Sequence, residues 1–323
     1  MRFVHTFPAA LILVLAAPCA RAQDAEVDPY DQSKFPLEVD SPDAKLAKIV
    51  LIAGTKSHGP AEHEHFAGMA ILMNLLKQTP GVWPVMARDG WPKNDAILDG
   101  ARSIIMYCDG GGGHPVLQGE RLRRVGDLLK TGVGFGGIHY AVEVQKDAGG
   151  PQFLDWIGGY FEAHWSVNPH WEADFKSLPD HPVTRGVAPF KINDEWYYHM
   201  RFPEGMKGVT PILTAVPPPA TVGGDGTHSG NPTVRAEVAR GEPQHVMWVC
   251  ERTAGAGRGF GFTGGHNHRN WGDPNFRRVV VNAILWTAGL DIPPGGAPVE
   301  LDPAHVMRNL DDKGARKPKP AGK

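Results

Sequence analysis

The run Gly132-Val133-Gly134-Phe135-Gly136-Gly137-Ile138-His139-Tyr140-Ala141 reads as a buried parallel strand ending in a sharp turn, a layout that holds a nucleophile at an exposed point. The residue at that point is His139. An imidazole cannot form the acyl-ester or thioester that Ser or Cys would form there, so the position suits acid–base work or metal ligation in an open pocket. Further histidines follow the other strand-like runs: His58 after Lys56-Ser57, then Glu62-His63-Glu64-His65, then Asp109 with Gly110–Gly113 and His114, and lastly Gly264-Gly265-His266-Asn267-His268. We read His58, His139 and His266 as pocket residues. His114, His268 and one of His63 and His65 are expected as solvated loop or helix-surface residues. Three imidazoles with one open position would make a hydrolytic zinc site, so His58, His139 and His266 are also the candidate ligands of a divalent metal.

Four successive glycines let backbone N–H groups converge on a developing oxyanion, so Gly110 and Gly111, with Asp109 before them, are expected to face substrate. Tyr140 follows the His139 turn and is expected beside them. In Phe161-Glu162-Ala163-His164-Trp165-Ser166-Val167-Asn168-Pro169-His170-Trp171 polar and aromatic groups alternate. That suits a sugar, with His164 meeting hydroxyls and Trp165 the apolar face of a ring. The same pattern recurs in Asp194-Glu195-Trp196-Tyr197-Tyr198-His199, where Trp196 could contact sugar or pack between loop and sheet. A carboxylate set between aromatic residues needs a partner, which makes Glu195 the acid or base opposite His139.

The elements that must position these residues alternate between two periods. Ile49–Ala53, Val82–Met86, Ser103–Cys108 and Gly132–His139 read as strands, separated by helices over about 61–77 and 115–130. Phe66, Met69, Ala70, Met73 and Leu76 form the buried stripe of the first helix. Strands at 171–175, 210–216, 245–250 and 259–262 and a closing helix at 275–288 follow, with a Pro/Gly-rich polar insertion at 217–242. This order predicts an α/β domain over 48–290, a mostly parallel sheet with helices on both faces. In such sheets ligands bind beyond the carboxyl ends of the strands, where the histidines stand. Gly132-x-Gly134-x-x-Gly137 spells a dinucleotide fingerprint but lies inside a strand, so it is rejected as a nicotinamide site.

The chain has 323 residues, Lys+Arg 33 against Asp+Glu 35, which leaves no basic field for nucleic acid. Residues 1–22 carry a short basic start, an apolar run shorter than the roughly 20 residues that span a bilayer, and Ala20-Arg21-Ala22 before Gln23. We read a signal peptide, hence a periplasmic or secreted protein with no membrane insertion after cleavage. Residues 23–47 form a polar leader and 291–323 a Pro-rich tail. Cys108 and Cys250, the cysteines left after cleavage, are expected as buried free thiols. The expected partner is a small-molecule carbohydrate, and the oligomeric state is left open, a homo-oligomer included.

Over Lys48 to Leu290 the sequence resembles the ThuA-like (trehalose utilisation) family within the class I glutamine amidotransferase-like superfamily. The resemblance rests on Gly134-Phe135-Gly136-Gly137-Ile138-His139, His181-Pro182-Val183-Thr184-Arg185-Gly186, Asp194-Glu195-Trp196-Tyr197, and Phe262-Thr263-Gly264-Gly265-His266 followed by a helix through Gly289. It implies a flavodoxin-like sheet, His139 at the amidotransferase cysteine position, and the oxyanion loop surviving as Gly110–Gly113. The implied biology is bacterial carbohydrate use, often beside sugar oxidation to 3-keto derivatives. The leading expectation is therefore a hydrolase, lyase or isomerase acting on a sugar or 3-keto-glycoside through His139, Glu195, His58 and His266. The competing one is a sugar-binding module without turnover. The export reading makes a first prediction: N-terminal sequencing of the secreted protein should start near Gln23, and secreted material still beginning at Met1 would contradict it.

Overall fold

The computed structural model describes residue 1 and residues 27–252 and 256–314. Residues 2–26, which include the segment expected as a signal peptide, and the basic end of the chain lie outside the described residues. Among the described residues there are nine strands and five α-helices: β1 (Ala47–Ala53), α1 (His65–Leu76), β2 (Val82–Ala87), β3 (Ser103–Tyr107), α2 (Arg121–Lys130), β4 (Gly134–Ile138), α3 (Gly150–Trp156), β5 (His170–Phe175), β6 (Phe190–Glu195), β7 (Val209–Ala215), α4 (Pro232–Ala239), β8 (Gln244–Glu251), β9 (Arg258–Phe262) and α5 (Pro274–Thr287). A seven-stranded sheet has the order β2-β1-β3-β4-β9-β8-β7. Its first five strands run parallel, and β8 is antiparallel to both of its neighbours. Strands β5 and β6 pair antiparallel in a small second sheet.

The burial of β1 explains the layering. Ile49, Leu51 and Ala53 point into one apolar cluster with α1, α5 and the small sheet. Val50 and Ile52 point into the other, with residues of α2 and α3. A strand covered on both faces must be apolar along its covered length, as β1 is from Ile49 to Ala53. The order 2-1-3-4 is flavodoxin-like and reverses between β1 and β3, which opens a crevice beyond their carboxyl ends.

Several expectations change in detail. Helix α1 is buried at every position except Asn74, so it has no solvent face. The helix read from residue 115 breaks instead, because Pro115–Leu117 make one tight turn and Gly119 takes φ +56° before α2 starts at Arg121. The polar insertion holds α4, whose Asn231 side chain accepts from Thr233 and Val234 N–H ahead of Pro232. Strand β6 has no strand pattern in the sequence, because its inward positions Phe190, Ile192 and Asp194 mix apolar residues with a fully buried carboxylate. Residues 291–314 do not hang free: Ile292, Ala297 and Val299 join the core, and Asn282 accepts from Ala297 N–H. Cys108 and Cys250 are buried free thiols. Among the described residues, no helix is long and apolar enough to cross a membrane.

The glycines of β4 work by close approach. A Cβ on Gly134 would sit 2.2 Å from the Thr287 carbonyl oxygen at the end of α5. Gly134→Ala is therefore expected to cost about 2 kcal/mol through overpacking, read as a lower urea midpoint. Gly126→Ala in α2, where the new atom meets the Trp156 ring at an ordinary 3.4 Å, should cost nothing. Equal midpoints for the two variants would refute this packing account.

Candidate active site and metal centre

The carboxyl ends of β1, β3, β4, β6 and β9 converge on one buried polar cluster. His139 follows β4, and its Nδ1 donates to the Thr263 carbonyl oxygen at 2.7 Å. His63 stands in the loop between β1 and α1, and its Nδ1 donates to Asp109 Oδ1 at 2.9 Å, just beyond β3. Asp109 stays ionised: burial alone would push its carboxyl up, but the hydrogen bonds from His63 and Ser57 hold it below the usual carboxylate range. Both acceptors lack a proton, so both imidazoles are fixed as the Nδ1–H tautomer. Their bare Nε2 atoms then face each other at 3.0 Å.

Two more groups close on the same point. His266 Nδ1 lies 3.0 Å from His63 Nε2 and 3.0 Å from Glu195 Oε2, and Glu195 Oε2 is 3.5 Å from His139 Nε2. The four ligand atoms of His63, His139, His266 and Glu195 all lie within 4.8 Å of one another. Burial favours a raised Glu195 pKa, but the His139 and His266 rings, within 3.5 and 3.0 Å of Oε2, outweigh it and hold the carboxyl well below its ordinary range. Burial likewise opposes charge on His266, but Glu195 raises it above the ordinary imidazole value. Around this set, the Tyr197 hydroxyl donates to His139 Nε2 at 3.2 Å and Asn168 Nδ2 donates to Glu195 Oε1 at 3.2 Å.

The local backbone is bent to deliver these rings. His58, His63 and His139 take φ of 55°, 45° and 56°, the left-handed region that side chains other than glycine rarely occupy. Such strain persists where surroundings over-determine it. The buried Asp194 carboxylate does this for the His266 loop, accepting from the N–H groups of Gly265, Asn267 and Glu195 at 2.7, 3.0 and 2.9 Å.

The sequence candidates divide on this geometry. His139, Glu195 and His266 meet, but His139 is fully buried, not open to solvent. His58 stays outside the four-group cluster: it is 41% exposed, stacks on His63 with ring centroids 3.5 Å apart, and lies 3.9 Å from Asp109. His63 takes the ligand place expected for His58. The sequence expectation leaves one of His63 and His65 facing solvent, yet both are buried, as are His114 and His268. The Glu62–His65 run was the available signal, but a helical reading from residue 61 spread its side chains around a helix that actually starts at His65.

Asp109 orients His63, and Tyr140 stands at the rim, its ring centroid 6.0 Å from that of His63. Burial and the Glu143 charge push the Tyr140 hydroxyl up to about 12. The glycine loop is partly committed: the Gly111 N–H donates to the Glu143 carbonyl oxygen at 3.0 Å, and Gly110 packs against that backbone, so neither forms the expected open oxyanion cradle. His164 is exposed and separate from the cluster. The Trp165 ring stacks on His199 and lies under the Arg201 guanidinium at 3.6 Å, so protein groups occupy it. Trp196 is fully buried against Phe175, Phe262 and Phe276, so packing and not sugar contact accounts for it.

This is a doubly wound α/β protein whose buried His/carboxylate centre lies at the carboxyl ends of its parallel strands. The profile of the family described as ThuA, trehalose utilisation, matches residues 49–287, and the chain belongs to that family. Two solved structures resemble it in fold. A ThuA-like protein from Bacteroides uniformis has TM-score 0.53 and 18% identity, covering 82% of this chain and 99% of its own. One from Parabacteroides merdae has TM-score 0.52 and 15% identity, with the same coverages of 82% and 99%. No curated relative matches the chain.

The buried histidines set a pH dependence. Burial lowers His65, His114 and His268 to about 4, from an ordinary 6.5. They are neutral when folded, whereas the unfolded chain protonates them, so stability is lost as pH falls from about 7 towards 4. At pH 5 each contributes a loss on the order of 2 kcal/mol. In metal-free protein, denaturation midpoints should fall between pH 7 and pH 5, and His268→Gln should lose less over that interval than wild type. An identical pH dependence for the two would contradict it.

Proposed function

We propose that the chain is an exported, metal-dependent enzyme acting on a carbohydrate, most simply a sugar or glycoside already carrying a keto group. The supporting observation is the contact of His63 Nε2 with His139 Nε2 at 3.0 Å, with both Nδ1 atoms already donating. Two lone pairs held together in a buried site call for a positive charge. A proton can bridge one pair, but with His266 Nδ1 and Glu195 Oε2 also converging, a divalent ion satisfies all four donors at once. The set is nitrogen-rich with one carboxylate, which suits zinc or a neighbouring transition metal better than calcium or magnesium. Two of the histidines also have hydrogen-bonded outward partners, Asp109 for His63 and the Thr263 carbonyl for His139, while His266 Nε2 has the Glu62 carboxylate 3.9 Å away without a hydrogen bond.

When bound, such an ion polarises a carbonyl oxygen or lowers the pKa of a water molecule to about 7. The protein supplies the rest. The Tyr197 hydroxyl and Asn168 amide reach the ligand groups, and His58 stands half-exposed above His63 with its Nδ1 2.5 Å from Ser57 Oγ. Burial lowers the His58 pKa below 6.5. A largely neutral imidazole at the rim can remove a proton beside a ketone, as elimination or isomerisation requires, or activate water for hydrolysis. The adjoining cleft is lined by Asn168, Pro169, Thr221, Gly223, His228 and Ser229, an amide, hydroxyl and imidazole surface fitted to a neutral polyol. The near-balanced charge of the chain and the trehalose-utilisation description of its family support the same substrate class.

The test is metal content and activity on the same preparations. Purified wild type should carry about one zinc-class ion per chain, and chelation should abolish turnover of a 3-keto-glycoside until metal is returned. His139→Ala and His63→Ala should each weaken metal binding by about 100-fold or more, whereas His58→Ala should keep the metal and lose turnover. Full activity in metal-free protein would overturn the proposal. Sugar binding without turnover in metal-loaded protein would leave a recognition module instead.

A further inference from the structure

The loop that delivers His63 is held by a part of the chain outside the family match, which ends at residue 287. Residues 302–314 return along α1 to the mouth of the site. Asp302 caps the first turn by accepting from Ala304 N–H at 2.9 Å, the Val306 carbonyl accepts from buried His268 Nε2 at 2.7 Å, and Leu310 N–H donates to the Pro29 carbonyl at 2.9 Å. Gln32 anchors the next turn through the carbonyls of Asn309 and Leu310, both at 3.1 Å. The strap then closes on the loop: Asp311 N–H donates to Glu64 Oε2 at 2.8 Å and Lys56 Nζ donates to the Asp312 carbonyl at 2.6 Å.

Lys313 finishes the closure. Its side chain is 3% exposed, its Nζ is 3.2 Å from Glu64 Oε1, and it donates to the carbonyl oxygens of Gly59 and His63 at 3.4 and 3.3 Å and to that of Glu62. These carbonyls belong to a loop with three left-handed residues, His58 at φ 55°, Ala61 at φ 62° and His63 at φ 45°. Strained backbone of this kind relaxes unless something outside it fixes its peptide planes. One ammonium group gripping three of them does so.

Resting on the metal reading above, we propose that Lys313 is a positioning residue for His63, and that residues 302–314 form a strap that pre-orders the His63 loop for metal binding. The alternative is that Lys313 only neutralises the buried Glu64 carboxylate. The two differ in what removing both charges does. Under neutralisation alone, Lys313→Met leaves an unpaired buried charge, and adding Glu64→Gln restores everything. Under positioning, the double variant regains stability but not order in the loop.

The experiment compares wild type, Lys313→Met and Lys313→Met/Glu64→Gln in the full chain. Hydrogen exchange of metal-free protein reads the loop directly, and cobalt binding with its visible spectrum reads the ligand geometry. We expect amide exchange in peptides covering 57–66 to quicken by about tenfold or more in both variants, with α5 peptides unchanged. Cobalt affinity should fall by about 10- to 100-fold in both, with an altered spectrum. Wild-type exchange and cobalt affinity in the double variant would overturn the proposal in favour of neutralisation, and an undisturbed loop in both variants would also overturn it. If wild type binds no cobalt but the loop still loosens in both variants, the metal reading fails and the strap's hold on His63 stands.

Discussion

Two imidazoles brought together by their unprotonated nitrogens are the constraint around which this molecule is arranged. His63 and His139 each commit the Nδ1 proton to a fixed acceptor, the Asp109 carboxylate and the Thr263 carbonyl, which turns their Nε2 atoms towards one another at 3.0 Å. Neutral rings in contact this way repel unless positive charge joins them. His266 and Glu195 complete the surround, so the arrangement is stable as a set and unfavourable in pieces.

Burial makes that set demanding. An ionised carboxylate placed among apolar layers costs several kcal/mol unless its oxygens are hydrogen-bonded, and here Asp109, Asp194 and Glu195 all find donors. Strain adds to the demand, since His63 and His139 both sit in left-handed conformations. The sheet answers with rigidity. The site hangs from the carboxyl ends of strands sealed on both faces, and where the His63 loop leaves β1, the chain beyond α5 returns to close over it.

The turn after β4 has the layout that can hold a nucleophile, but no nucleophile stands there. The turn after β4 still aims one side chain at the crevice between strands, but that residue is His139, and the neighbouring glycine loop spends the Gly111 N–H on the Glu143 carbonyl. A nitrogen-rich centre occupies the crevice instead, with Tyr197, Asn168 and half-exposed His58 around it.

Period and chemistry along the chain were enough to determine the architecture. Continuous apolar runs had to be strands covered on both faces, and histidines at their carboxyl ends had to approach the crevice that a parallel sheet opens there. His139, Glu195 and His266 were legible because motif and position agreed. His63 was not: its role depends on the loop turning left-handed just before α1, and a two-residue spacing between like side chains says nothing of that turn. Trp196 looked like a sugar platform from its neighbours in sequence, and only the packing of β6 against α5 made it core. The strap could not be seen either, because a Pro-rich segment carries no period, and the contact between Lys313 and Glu64 spans 249 residues of chain that only the folded structure brings together. Sequence encodes local preference well, whereas tautomers, ligand sets and clamps arise from distant groups meeting, and tertiary structure alone decides which groups meet.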